Sequence, residues 1–269
     1  MTTKPKRIER VVALAKLLAD HPYRLFSFSY FCKKFDIAKS TLSEDVMAVK
    51  SGMELYGLGK IETMSGAAGG VRFVPCHLPE DDEAFLQELA VRLAAPERIL
   101  PGGMLYTDIL CNPETVVRLG EIIMMRLAEL APDCIMTVET SGIPLALQVA
   151  RAFNIPLVIA RHTSDITEGS TVNINYVSGS TKAIQNMAMP KRALKPDSRV
   201  LIIDDVMKGG GTASGMIALA HEVGAKVVGK AFLIATAEPQ RKLVDDYAAI
   251  FTLHNVDEEN QVVHLDINK

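Results

Sequence analysis

Residues 200–213, Val-Leu-Ile-Ile-Asp-Asp-Val-Met-Lys-Gly-Gly-Gly-Thr-Ala, constrain the fold of this chain more than any other stretch. Four apolar residues make a short buried strand, two adjacent carboxylates follow, and three glycines open a helical pattern. Glycine lets successive backbone N–H groups turn toward one point, and a helix N-terminus adds partial positive charge. The segment therefore reads as a cradle for an anion, with the Thr212 hydroxyl as a further donor. A strand, turn and helix of this kind belong to an α/β fold, where ligands bind beyond the carboxyl ends of parallel strands. At such a place Asp204 and Asp205 can accept hydrogen bonds from the vicinal hydroxyls of a ribose or help to hold Mg²⁺. The spacing is not that of a Walker P-loop, because Lys208 precedes the glycines and no Gly-Lys-Ser/Thr occurs; nor is it the dinucleotide GxGxxG.

The surrounding sequence repeats the same rhythm. Apolar runs at 134–138, 157–160, 200–203 and 227–234 alternate with helical patterns at 143–153 and 213–223, which predicts βαβ units and a parallel sheet with helices on both faces. Upstream, the acidic run Glu80–Glu83 opens a helix carrying Phe85, Leu86, Leu89 and Leu93, and Asn112-Pro113 is an N-cap and N1 pair for a helix reaching about Leu130. Between Glu168 and Lys195, the alternation of Val172, Ile174 and Tyr176, then Ile184, Met187 and Met189, predicts an exposed antiparallel ribbon or flap.

The first 74 residues differ in both pattern and charge. They hold 12 Lys+Arg against 7 Asp+Glu, a balance of +5, whereas residues 75–269 hold 17 against 25, a balance of -8. A basic module joined to an acidic one points to a polyanion partner for the first, although a solvated basic face has the same composition. Ile8, Val11, Val12, Leu14, Ala15 and Leu18 give a first helix, which stops before His21-Pro22. Ser27 can cap a short second helix through Phe35, and a third begins near Lys39, with Thr41-x-x-Glu44 as a capping box, and ends near Gly52. Strand candidates at 60–64 and 71–74 flank a glycine-rich turn. Three helices and a hairpin are the order of a winged helix-turn-helix domain, whose third helix enters the major groove. Lys39, Ser40, Thr41 and Ser43, at the start of that helix, and Arg72 on the hairpin are the candidate DNA contacts; such modules also bind protein.

Other classes are excluded on simple counts. No run approaches the ~20 uncharged apolar residues of a membrane helix, and Lys16 interrupts the apolar stretch that a signal peptide needs near the N-terminus. The four cysteines are scattered without a CxxC pair, so they read as reduced packing residues of a cytoplasmic protein. No histidine is assigned a catalytic role.

The 200–213 segment resembles the 5-phosphoribosyl-1-pyrophosphate (PRPP) motif of the type I phosphoribosyltransferases. That resemblance implies that Asp204 and Asp205 bind the ribose hydroxyls and that Lys208, Gly209, Gly210, Gly211 and Thr212 bind the 5'-phosphate. It also makes Thr140, Ser141 and Gly142, within Glu139–Gly142, the pyrophosphate loop, with Arg161 a further pyrophosphate contact; the lysine that often follows that position is His162 here. The full chain is similar to the purine operon repressor family of Gram-positive bacteria through Ala38–Asp45, Gly66–Gly70, Pro96–Gly103, Thr167–Val172 and Asn175–Gly179. Membership would imply a winged helix-turn-helix domain over 1–74 and a phosphoribosyltransferase-like domain over 75–269 that senses PRPP without transferase activity. It would also imply a homodimer, operator DNA upstream of purine genes as partner, and PRPP, accompanied by Mg²⁺, as an effector that weakens DNA binding. Guanosine tetraphosphate would compete in the same pocket, with Tyr106 or Val206 bordering its base. The alternatives are a PRPP-responsive activator and a purine or pyrimidine phosphoribosyltransferase.

Overall fold

The computed structural model describes residues 5–66, 69–101, 103–162, 169–177 and 183–268. Contacts divide the chain into Met1–Asp82 with Arg151–Asn154, and Glu83–Ala150 with Ile155–Lys269. The sequence-derived segments Gly66–Gly70, Pro96–Gly103, Thr167–Val172 and Asn175–Gly179 therefore lie partly outside the described residues.

In the first unit, α1 (Arg7–Ala19), α2 (Phe28–Phe35) and α3 (Lys39–Leu55) precede a hairpin of β2 (Lys60–Met64) and β3 (Gly70–Val74). A two-residue strand, β1 (Phe26–Ser27), pairs antiparallel with β3, so the sheet order is β1-β3-β2. Ser27 caps α2, its hydroxyl accepting from the Tyr30 N–H at 3.2 Å, and Asp36 ends that helix in the left-handed region at φ 52°. Leu14, Leu18, Phe31, Leu42, Ile61 and Val71 are fully or nearly fully buried at the centre of the unit.

Three sequence expectations are corrected. The capping box at Thr41 and Glu44 does not form: the extended residue before α3 is Ala38, so Thr41 already lies inside the first turn. That helix runs to Leu55, past Gly52, because Val49 and Met53 continue its packed face and local propensity is overridden. On α1 the buried stripe is Arg10, Leu14 and Leu18, while Ile8 and Val12 are 79% and 63% exposed. Arg10 takes a core position because Asp45 of α3, 1% exposed, meets it there. Its Nε donates to Asp45 Oδ2 at 2.7 Å, Nη2 to Oδ1 at 3.3 Å and Nη1 to the Pro5 carbonyl at 3.0 Å.

In the second unit, α4 (Pro79–Leu93) buries Leu86, Leu89 and Leu93. A small hairpin, β4 (Ile99–Leu100) and β5 (Gly103–Met104), leads to α5 (Thr107–Leu110) and α6 (Pro113–Leu127), the latter capped by Asn112 accepting from the Thr115 N–H at 3.0 Å. A central sheet follows. Its strands are β6 (Cys134–Val138), β7 (Leu157–Ala160), β10 (Arg199–Met207), β11 (Lys226–Thr236), β12 (Ala248–Asp257) and β13 (Val262–Ile267), with α7 (Ile143–Phe153) after β6 and α8 (Gly211–Glu222) after β10. The order is β13-β12-β11-β10-β6-β7, parallel throughout except for β13, which is antiparallel to β12. The last two strands and the antiparallel edge are additions to the sequence reading.

The ribbon is present as β8 (Thr171–Val177) paired antiparallel with β9 (Ile184–Pro190), but it is exposed on one side only. Tyr176, Met187 and Met189 are buried in the core cluster with Met136, Ile202 and Met216, because the ribbon lies on α8.

The Arg10–Asp45 pair generates a direct test. Asp45→Ala strands a buried guanidinium, and chemical denaturation of the first unit should show a loss of about 3–5 kcal/mol. Asn at the same position, which keeps an acceptor, should lose less.

Candidate functional site

The strand order fixes where a ligand can bind. From β6 the chain passes outward to β7, and β10 then takes the other side of β6, so the connections diverge between β6 and β10. Loops leaving the carboxyl ends of these two strands flank a crevice, the position at which open α/β sheets hold ligands. One loop is Glu139–Gly142; the other is Lys208–Gly210, which runs into α8.

Asp204 and Asp205 sit at the end of β10 in unlike environments. Asp204 is 5% exposed, and burial, reinforced by the charge of Asp205, pushes its carboxyl well above the ordinary value of 3.8. Its Oδ1 accepts from the Asp205 N–H at 3.0 Å. Asp205 is half-buried; its Oδ1 accepts from the Val206 N–H at 2.8 Å and its Oδ2 from the Tyr106 hydroxyl at 2.7 Å. Burial, then the negative charge of Asp205, raises the Tyr106 phenol, which stays protonated and donating.

Gly142 explains how the two loops come so close. A Cβ built on it would overlap Asp204 Oδ1 and lie 2.8 Å from Thr137 Oγ1, so no other residue fits between the two strand ends. Thr137 is fully buried beneath the loop, and its hydroxyl has no partner among the described residues. Thr140 is exposed and Ser141 half-buried at the crevice, and the peptide between Glu139 and Thr140 is cis. The Glu139 carboxylate accepts from the His162 N–H at 2.7 Å, tying this loop to the end of β7 where Arg161 lies. Arg161 exchanges both backbone hydrogen bonds with Ala188 of the ribbon at 2.8 Å.

The second loop is built as the sequence predicts. Gly210 has φ +84°, a conformation that favours glycine, and precedes α8; Gly210 and Gly211 are buried, Gly209 and Thr212 half-buried and Lys208 exposed. Asp204, Met207 and 208–212 line a cavity of about 100 Å³, with room for one anionic group. Alongside it a second cavity, of about 380 Å³, is bounded by Tyr106, Val206, Lys208, Ile234, Leu253 and Glu258 among others. Thus Asp204, Asp205, 208–212 and Val206 converge with Tyr106, and Gly142 with Asp204.

Two features of the site escaped the sequence reading. Tyr106 reaches Asp205 across 99 positions, which no local pattern reports. Tyr176 of the ribbon packs so closely on Gly215 of α8 that a Cβ there would sit 3.1 Å from its ring, and its hydroxyl donates to Gln185 Oε1 at 2.7 Å. Among the described residues, no group of three His, Cys, Asp or Glu side chains is placed to hold a metal.

On the first unit, Lys39 and Ser40 are exposed on the opening turn of α3, while Thr41 and Ser43 are half-buried. Ser43 Oγ donates to the Lys39 carbonyl at 3.0 Å, and the Lys39 ammonium lies 5.6 Å from the centre of the Phe28 ring. Arg72 is held apart from this group: it pairs with Glu62 at 2.7 Å and lies over the Tyr23 ring.

A buried carboxyl that resists ionisation costs stability whenever the solution forces its charge. Because the folded-state pKa of Asp204 is raised, its favourable contribution is complete below 3.8 and is lost as pH rises through the folded value. Asp204→Asn should therefore raise the melting temperature of the ligand-free chain, with a gap over the unsubstituted chain that opens as pH increases from 4 to 8; a constant or negative gap in calorimetry would contradict the burial argument.

Residues 6–75 match the family described as bacterial purine repressor, N-terminal, and residues 106–268 match the phosphoribosyl transferase domain. The purine biosynthesis transcriptional repressor PurR of Bacillus subtilis is 43% identical over 97% of this chain and 92% of its own length. The purine biosynthesis transcriptional activator PurR of Lactococcus lactis is 38% identical over 97% of each. Adenine phosphoribosyltransferase from Saccharomyces cerevisiae superposes with a TM-score of 0.54 at 20% identity, over 62% of this chain and 97% of that enzyme, a likeness of fold. No helix among the described residues is long and apolar enough to cross a membrane. With a purine-repressor module over residues 6–75, a phosphoribosyltransferase domain over 106–268 and regulators matched along nearly its whole length, the chain belongs to the bacterial purine repressor family.

Proposed function

We propose that this chain is a DNA-binding transcription regulator of purine biosynthesis and transport genes that senses PRPP and does not consume it. The supporting observation is the meeting of two amide-rich turns and the Asp204–Asp205 pair at one switch point, in a chain whose full-length relatives are regulators and not enzymes. In this reading the 5'-phosphate sits on 208–212, the ribose hydroxyls donate to Asp204 and Asp205, and the pyrophosphate lies along Thr140, Ser141 and Gly142 toward Arg161. Mg²⁺ enters with PRPP, held chiefly by phosphate oxygens and water. The cavity beside Tyr106 and Val206 has room for a nucleobase, which supports guanosine tetraphosphate as a competing ligand.

Operator DNA, upstream of purine genes, is read by the opening turn of α3, through Lys39, Ser40, Thr41 and Ser43. Arg72, already neutralised by Glu62, serves the hairpin more than the phosphate backbone. A homodimer, as expected for a cytoplasmic repressor of this family, would set two such units on half-sites about one helical turn apart.

Two anion sites on one chain make a linkage. A coupling of ~1–3 kcal/mol between PRPP and operator changes operator affinity ~5- to 150-fold, and the operator must change PRPP affinity by the same factor. Gel shifts across a PRPP series should show release of operator, and calorimetric PRPP titrations with and without operator should return matching factors. Tightening in place of release would assign activation, and no effect would remove the sensor. A separate expectation concerns DNA alone: Lys39→Ala should weaken binding at every operator sequence and lower the slope of log affinity against log salt by about 1. Incubation with PRPP and purine bases should release no pyrophosphate.

A further inference from the structure

The phosphate-type turn is held from behind by a strap of chain. From the end of β11, residues 236–244 run beside Lys208–Gly210. Three successive carbonyls of the turn each accept a hydrogen bond. Lys208 O accepts from Lys242 Nζ at 2.7 Å, Gly209 O from the Leu243 N–H at 3.0 Å, and Gly210 O from the Ser214 N–H of α8 at 2.9 Å, while the Thr236 hydroxyl donates within the strap to Glu238 O at 2.6 Å. The strap is itself anchored. Val244 is buried with Met207, Ala213 and Phe232, and the Leu243 and Val244 amides lie against Gly210 so closely that a Cβ there would sit 3.2–3.3 Å from them.

The chemical consequence concerns direction. In a tight turn, carbonyls and N–H groups of successive peptides compete for the concave side, and a carbonyl aimed at an anion repels it. Fixing the carbonyls of 208–210 to donors leaves the amides of the turn to face the cavity. Lys242 is the charged member of this donor set. Its ammonium also touches the Pro239 carbonyl at 3.3 Å, and burial pulls its pKa down. Lys242 borders a different cavity, with Gln240 and Tyr247, from the one that 208–212 line.

We infer that Lys242 is a positioning residue for the anion-binding turn, acting through the Lys208 carbonyl on the phosphate ester end of the ligand and not by touching the ligand. The inference rests on the reading of 208–212 as the 5'-phosphate seat, so ribose 5-phosphate and PRPP are titrated in parallel into the full-length chain. Lys242→Met should weaken both about tenfold and alike, the scale of a lost charge-assisted hydrogen bond, whereas Lys242→Arg, which still donates, should stay within about threefold of the unsubstituted chain. Operator affinity without ligand should not change in either variant, which a general loss of structure would not produce. Should Lys242→Met fail to fold, Lys242→Gln, uncharged and one bond shorter, replaces it and should weaken both ligands. Unchanged affinity for ribose 5-phosphate in the folded variant, or a loss confined to PRPP, overturns the assignment. If the unsubstituted chain binds ribose 5-phosphate but not PRPP, the role of Lys242 is still decided and the sensor reading alone falls; binding of neither ligand overturns both.

Discussion

A carboxyl group placed where water scarcely reaches it governs the second unit. Asp204 stands at the end of a strand buried on both faces, with Asp205 next to it and, also against Gly142, the Thr137 hydroxyl, which has no partner among the described residues. Such a group is poorly satisfied by the protein alone and gains when hydroxyl donors arrive. The arrangement thus trades folding stability for readiness to bind, a common trade at ligand sites. It also explains the packing around it. The β6 loop can approach only because position 142 lacks a side chain, and the Tyr106 phenol, kept protonated, donates to Asp205 Oδ2 from the wall of the larger cavity.

The first unit has its own organising pair in Arg10 and Asp45. A buried ion pair is a weak source of net stability, but it is intolerant of error, since neither partner can be left alone. It sets the approach of α1 to α3 and so the presentation of the opening turn of α3, where Lys39 and Ser40 are free of the core. The net positive charge of this region is distributed unevenly in effect. Arg72 is neutralised by Glu62, whereas Lys39 remains on the surface.

Much of this is legible in the sequence. The runs at 134–138 and 157–160 are continuous and apolar because both faces of a parallel sheet are covered, and Asn112-Pro113 and Ser27 announce helices through chemistry local to the chain. The same locality explains the failures. In β12 and β13, polar residues such as Thr252, His254, Asn255 and Asp266 break the apolar pattern at the sheet edge, so no strand period stands out. Thr41 and Glu44 have the spacing of a capping box, yet the turn at Asp36 commits the backbone to a helix three residues too early for it. Partnerships between distant residues, Arg10 with Asp45 or Tyr106 with Asp205, leave no trace in spacing at all. The anion turn itself was legible in outline from its glycines, but the chain that braces it comes some thirty residues later and carries no motif.

The ribbon of β8 and β9 has a double employment. Its inner face, Tyr176, Met187 and Met189, roofs part of the hydrophobic interior over α8, while the Tyr176 ring also packs on Gly215, one turn after the glycine-rich loop. Shortening it would expose oil as well as alter a binding wall. A protein built on this scaffold must therefore keep this hood over its interior whether or not any bond is ever broken nearby, and the persistence of enzyme-like architecture in a regulator needs no appeal to leftover chemistry.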